Sequence, residues 1–171
     1  WSSDYGTQGD KPFWWASVGK MVTATIVLQL VDEQRLSLDD KLAKWLPEFP
    51  NANLITLEQL LTHTSGVFDF NNDEKFREKR GIKTVEDILK ISAKHGRSFC
   101  PGTDWFYSNT GYVLLGHIAE QIEGETLGVI VKNRISDPLS LPTFDVISPT
   151  DPADSIVAPG GAEAPSVAEI G

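Results

Sequence analysis

The chain has 171 residues, 40% of them apolar and 23% charged, which suits one globular domain with a true apolar core and excludes collagen-like and wholly disordered classes. Its net charge of −9 argues against nucleic acid as a partner, because neutralising phosphates needs a basic face. Cys100 is the single cysteine, so no intrachain disulfide can form, and no apolar run is long enough to span a bilayer.

In chain order, Trp1-Ser2-Ser3-Asp4 shows neither a methionine nor a basic-then-apolar leader; the chain reads as entered midway, with any targeting signal outside it. Lys11-Pro12-Phe13-Trp14-Trp15-Ala16 reads as a strand or extended run. From Ser17 to about Gln34 lies the strongest helical pattern, apolar nearly all round through Val18, Met21, Val22, Ile26, Leu28 and Leu30. A helix of that kind belongs at the centre of a fold. Leu38-Asp39-Asp40 opens a short helix with Leu42, Trp45 and Leu46 on one face, its acids suiting the dipole and Pro47 ending it. Thr56-Leu57-Glu58-Gln59 is a capping box for a helix through Leu61.

Residues 67–81 are charged and include Asn71-Asn72, which predicts a mobile surface excursion. A capped amphipathic helix follows from Thr84, with Val85, Ile88, Leu89 and Ile91 inward. After Pro101-Gly102, another runs from about Gly111 to Glu123 with Gly124 just past its end. Thr126 caps a last helix carrying Leu127, Ile130 and Val131. From Ile135 onward there is no Lys or Arg, while six acids and six of the ten prolines gather there. Residues 145–171 therefore read as an acidic surface segment or disordered end after a domain covering 1–144.

Two motifs carry chemistry. Ser17-Val18-Gly19-Lys20 is the one Ser-x-x-Lys in the sequence, and spacing of three puts both side chains on one helix face. A serine hydroxyl is a weak nucleophile until a base takes its proton, and a neutral amine can do so. A chain of this composition holds about one such pair by chance, so an N-cap serine followed by a solvated lysine is the plain alternative. Position favours chemistry, because the pair opens the most apolar helix. Tyr107-Ser108-Asn109 places a phenol and an amide on the same side of an extended segment. The phenol can relay protons and the amide can hold a carbonyl or orient the lysine. The equally open alternative is a buried tyrosine with Asn109 capping the next helix. A Ser/His/Asp set from Ser17 or Ser65, His63 and Asp69 can also be drawn; His95 reads as a loop residue and His117 as a helix-side one. No His/Cys/Asp/Glu cluster has zinc-ligand spacing.

Taken together, Ser17-x-x-Lys20, then Leu60-Leu61-Thr62-His63-Thr64-Ser65-Gly66, then Pro101-Gly102-Thr103 leading into Tyr107-Ser108-Asn109-Thr110-Gly111-Tyr112, resemble the β-lactamase-related serine hydrolases and penicillin-binding proteins. That group includes class C β-lactamases, D-Ala-D-Ala carboxypeptidases, D-aminopeptidases and esterases. The resemblance runs from about Phe13 to Phe144. It implies an α+β, β-lactamase/transpeptidase-like fold, here mostly its helical region with the antiparallel sheet largely missing. It further implies Ser17 as acylated nucleophile, Lys20 as its partner, Tyr107 as base and proton shuttle, and Asn109 as substrate and lysine contact. No cofactor or metal is implied. The substrate would be a small molecule: a β-lactam, a D-amino acid peptide or an ester. A periplasmic or extracellular location is favoured, with a cytoplasmic one open. His63 would buttress the site rather than act in it. The group's third motif, Lys or His, then Thr or Ser, then Gly, has no match: Lys132, Arg134, His117 and Lys79 all lack the pattern. The alternatives are a catalytically incomplete or non-enzymatic penicillin-binding relative, and an unrelated helical interaction module.

Overall fold

The computed structural model describes residues 15–78, 84–141 and Phe144. Six α-helices organise this part: α1 Lys20–Asp32, α2 Leu57–Leu61, α3 Glu74–Glu78, α4 Val85–His95, α5 Asn109–Glu123 and α6 Leu127–Val131. Short 3-10 turns lie at Ala16–Gly19, Leu42–Lys44 and Phe70–Asn72, and a π-helical turn at Lys132–Ser136 follows α6. Among the described residues β pairing is limited to isolated antiparallel bridges, Lys41 to Thr56 and Val67 to Arg97. None of the described helices is long and apolar enough to cross a membrane.

The central helix is α5, not α1. It packs against α1, α2, α4 and α6, and Thr110 through Gly116, Ile118 and Ala119 are buried along it. α2 lies close by: a Cβ on Gly111 would be in ordinary van der Waals contact with the Leu60 carbonyl at 3.4 Å. Ser108 caps α5 by accepting from Gly111 N–H, and Gly124 ends it in the left-handed conformation, φ +74°. Asn109 is thus the first helical residue rather than the cap.

The sequence expectation of an α1 buried on all sides is corrected. Ile26, Val27 and Leu30 are fully buried, whereas Val18, Met21 and Leu28 are half exposed or more. Met21 and Leu28 lie on one face of α1, and Val18 belongs to the turn before it. Apolarity all round shows that a helix avoids water, not which neighbour shields each side.

Three other expectations need revision. Residues 67–78 are no surface excursion, because Phe70 and Phe76 are buried with Ile88 and Val113 in a second apolar cluster. Charged residues mask the pattern there: Asp69 and Asp73 are buried too, each bonded to the backbone it caps. Asp39 and Asp40 precede a 3-10 turn rather than open an α-helix, Asp40 accepting from Ser37 N–H and from Lys44. His95 is the last residue of α4 rather than a loop residue, and its Nε2 lies 2.6 Å from Asp73 Oδ2.

The capping boxes at Thr56 and Thr84 form as read, with Gln59 and Asp87 closing them. Thr126 precedes α6 but makes no side-chain cap. The proposed extended run at 11–16 lies outside the described residues except Trp15 and Ala16, which are not strand. The acidic segment 145–171 also lies outside them. Where α1 and α5 end, Arg134 grips Glu33 at 2.6 and 2.9 Å and Glu123 at 2.9 Å, tying both helix ends to the π-turn.

Candidate active site

Backbone geometry sets the entry. Ala16 has φ +47°, an unusual conformation for a residue with a Cβ, and turns the chain sharply before Ser17. The 3-10 turn Ala16–Gly19 then runs into α1, leaving Ser17 exposed while Lys20 is buried. A solvated lysine beside a capping serine is therefore not what forms.

The side chains singled out from the sequence meet at one point. Tyr107 OH donates to Ser17 Oγ at 2.8 Å, and Lys20 Nζ donates to the same oxygen at 3.5 Å. Lys20 Nζ is held more closely by Asn109 Oδ1, at 2.7 Å. It also sits 5.2 Å from the Tyr107 ring centre and 5.7 Å from that of Tyr112, within range of a cation–π contact. These contacts join residues some 90 positions apart, which helical spacing alone cannot do.

His63 stands behind this group. It closes α2 with φ +61°, and its ring lies 4.6 Å from Tyr107, 5.2 Å from Tyr112 and 6.0 Å from Trp105, centre to centre. Nδ1 accepts from Ser108 N–H at 3.2 Å, and the His63 carbonyl accepts from Phe106 N–H. Burial, helped by the charge of Lys20, pushes the His63 imidazole below its ordinary pKa, so the acceptor at Nδ1 is retained near neutral pH. It is a strut for the Tyr107 segment. The imagined Ser/His/Asp set does not assemble: Ser65 is buried against Val67 N–H, and Asp69 contacts Asn109.

Asp69, which could be drawn into a Ser/His/Asp set, is partnered by Asn109 instead. Both its oxygens face Asn109 Nδ2, at 3.4 and 3.2 Å. Burial pushes its carboxyl above the ordinary range, opposed by hydrogen bonds from Asn71 and Asn109 and by Lys20. Asp69 follows the buried turn at Gly66, and no local pattern points to its pairing with Asn109. Gly66 itself is required, since at φ +71° an added Cβ would collide with the Phe99 carbonyl.

Residues 4–168 match the family described as Beta-lactamase. This chain belongs to the β-lactamase family. It is 34% identical over 129 residues to the putative penicillin-binding protein PbpX of Bacillus subtilis, covering 75% of the chain and 31% of that protein. Esterase EstB of Burkholderia gladioli is 32% identical over 148 residues, 77% of the chain and 38% of the esterase. A D-stereospecific amidohydrolase from Streptomyces superposes with a TM-score of 0.74 at 38% identity, covering 78% of this chain and 44% of that one. The chain thus has the β-lactamase/transpeptidase-like fold and spans about a third of the length of the curated relatives it matches. The family is one of serine hydrolases, with penicillin-binding proteins, an esterase and amidases among the relatives.

Proposed function

We propose that this chain supplies the nucleophile and proton-transfer groups of a serine hydrolase acting through an acyl-enzyme on Ser17. The observation that carries the reading is the convergence of Tyr107 OH and Lys20 Nζ on an exposed Ser17 Oγ. Ser17 Oγ attacks the carbonyl carbon of an amide, lactam or ester, forming a C–O bond. Its proton passes to the Tyr107–Lys20 pair and returns to the leaving amine or alkoxide as the C–N or C–O bond breaks. Water then cleaves the acyl-enzyme by the same route in reverse. Asn109 keeps Lys20 beside Ser17, and its amide borders the space where a substrate carbonyl would lie. The Ser17 N–H would provide half of an oxyanion hole, with a second donor needed for full stabilisation.

Penicillin-binding, esterase and D-amidase names among the relatives support a small acyl substrate and agree with all three bond types. A second reading is a relative that binds such molecules without turnover. The penicillin-binding names among the relatives favour it.

A fluorophosphonate or penicillin probe followed by peptide mass mapping tests the first reading on the protein at its natural length. An adduct on Ser17, lost in Ser17→Ala together with turnover, is expected. Absence of an adduct on the unaltered protein, or equal turnover in Ser17→Ala, sinks it. A stable penicillin adduct with no ester or amide turnover supports the second reading.

A further inference from the structure

Asp69 is a buried acid that the acyl-transfer steps above leave unused. It is 6% exposed and lies between α2 and α3, while Lys20 comes from α1 and Asn109 from the start of α5. We propose that Asp69 is a positioning residue of the reaction: it grips Asn109 Nδ2 and so fixes Oδ1 of the same amide on Lys20 Nζ.

The two ends of a carboxamide have nearly the same shape and opposite hydrogen-bonding character. With Asp69 ionised, Nδ2 faces an acceptor on one side and Oδ1 faces the lysine donor on the other. A flip of the amide would set Nδ2 against Lys20 Nζ and Oδ1 against the carboxylate, two repulsions in place of two bonds. The chain of contacts is continuous: Asp69 to Asn109 at 3.2 Å, Asn109 to Lys20 at 2.7 Å, Lys20 to Ser17 at 3.5 Å. Lys20 is thus anchored more closely by Asn109 than by Ser17, so its place depends on which way that amide points.

A capping role alone does not account for Asp69. It accepts from Asn71 N–H at 3.3 Å and so caps the Phe70–Asn72 turn. Asparagine or serine caps such a turn without burying a charge, which is costly unless the charge is paired. Here the second oxygen is turned away from the cap and onto Asn109.

The inference rests on acyl transfer at Ser17, and a double-mutant cycle on the protein at its natural length tests it, reading the rate of Ser17 adduct formation with a fluorophosphonate and kcat against KM with an ester. Asp69→Ala is expected to slow acylation about 10- to 100-fold, since misplacement by about an ångström has effects of that size, with KM changed less than about twofold because the change falls on the reacting groups. In an Asn109→Ala background the same change is expected to cost less than about twofold, because the amide it orients is gone. Should Asp69→Ala fail to fold, Asp69→Asn carries the test. It keeps the volume but replaces one acceptor oxygen by NH2, and a loss of about threefold or more that vanishes in Asn109→Ala supports the assignment. Equal losses in both backgrounds overturn it, as does unaltered acylation in a folded Asp69 variant while the unaltered protein labels at Ser17. No Ser17 adduct on the unaltered protein overturns the hydrolase reading itself, and the role of Asp69 with it.

Discussion

His63 packs behind the Ser17 group and holds the Tyr107 segment. Its ring fills the space against Tyr107 and Tyr112 while Nδ1 takes the Ser108 N–H. Replacing it by phenylalanine keeps the aromatic body and removes the acceptor, leaving a buried-side N–H unpaired at a cost of about 1–3 kcal/mol. Denaturant unfolding of His63→Phe checks that loss, with Tyr107 displaced and Ser17 acylation slowed alongside it. The pH dependence follows from the same burial. Because the folded imidazole has a depressed pKa, its contribution is fully present above the unfolded value near ~6.5 and is lost as pH falls through the folded value. His63→Phe therefore flattens the decline in stability on the acid side of ~6.5. The spacing of Ser17 and Lys20 made their proximity readable in advance. Nothing local gave the partnership of Asp69 with Asn109, which are 40 positions apart.

At the scale of elements, the segment 67–78 is bound to α4 by more than its phenylalanines. Phe68 stacks on His95 at 4.1 Å, and Asp73 bonds to His95 Nε2 and to Phe76 N–H. The His95 hydrogen bond, followed by that from Phe76 N–H, holds the Asp73 carboxyl below its ordinary range, with Lys94 adding at 3.9 Å. A depressed carboxyl contributes stability above its unfolded value near ~3.9 and loses it as pH falls through the folded one. Acid unfolding of Asp73→Asn and the unaltered protein should accordingly differ at neutral pH and converge below about pH 4. Hydrogen exchange in 67–78 should rise at neutral pH in Asp73→Asn, and equal protection would count against this latch. The helices that announced themselves were those with long apolar patterns, α1 and α5, and those with local caps, at Thr56 and Thr84. The 67–78 segment was hidden because Asp69 and Asp73 face inward onto backbone, where composition suggests solvent.

For the whole molecule, α5 is the axis: Leu114, Leu115 and Ile118 are fully buried where α1, α2 and α6 meet it. Truncating Leu114 to alanine leaves a cavity that rigid neighbours on several sides cannot fill, costing about 2–5 kcal/mol. Thermal or denaturant unfolding measures this, and a loss below about 1 kcal/mol would place the axis elsewhere. Met21→Ala on the exposed face of α1 should change the stability of this chain by less than about 0.5 kcal/mol.

The sequence by itself determined the family and the capped helices, and it singled out Ser17, Lys20, Tyr107 and Asn109, because short motifs and helical periodicity are local properties written in neighbouring residues. Tertiary structure alone decided which helix is central and which acid is buried against Asn109. Those outcomes depend on which distant surfaces exclude water from one another, and no window along the chain contains both surfaces.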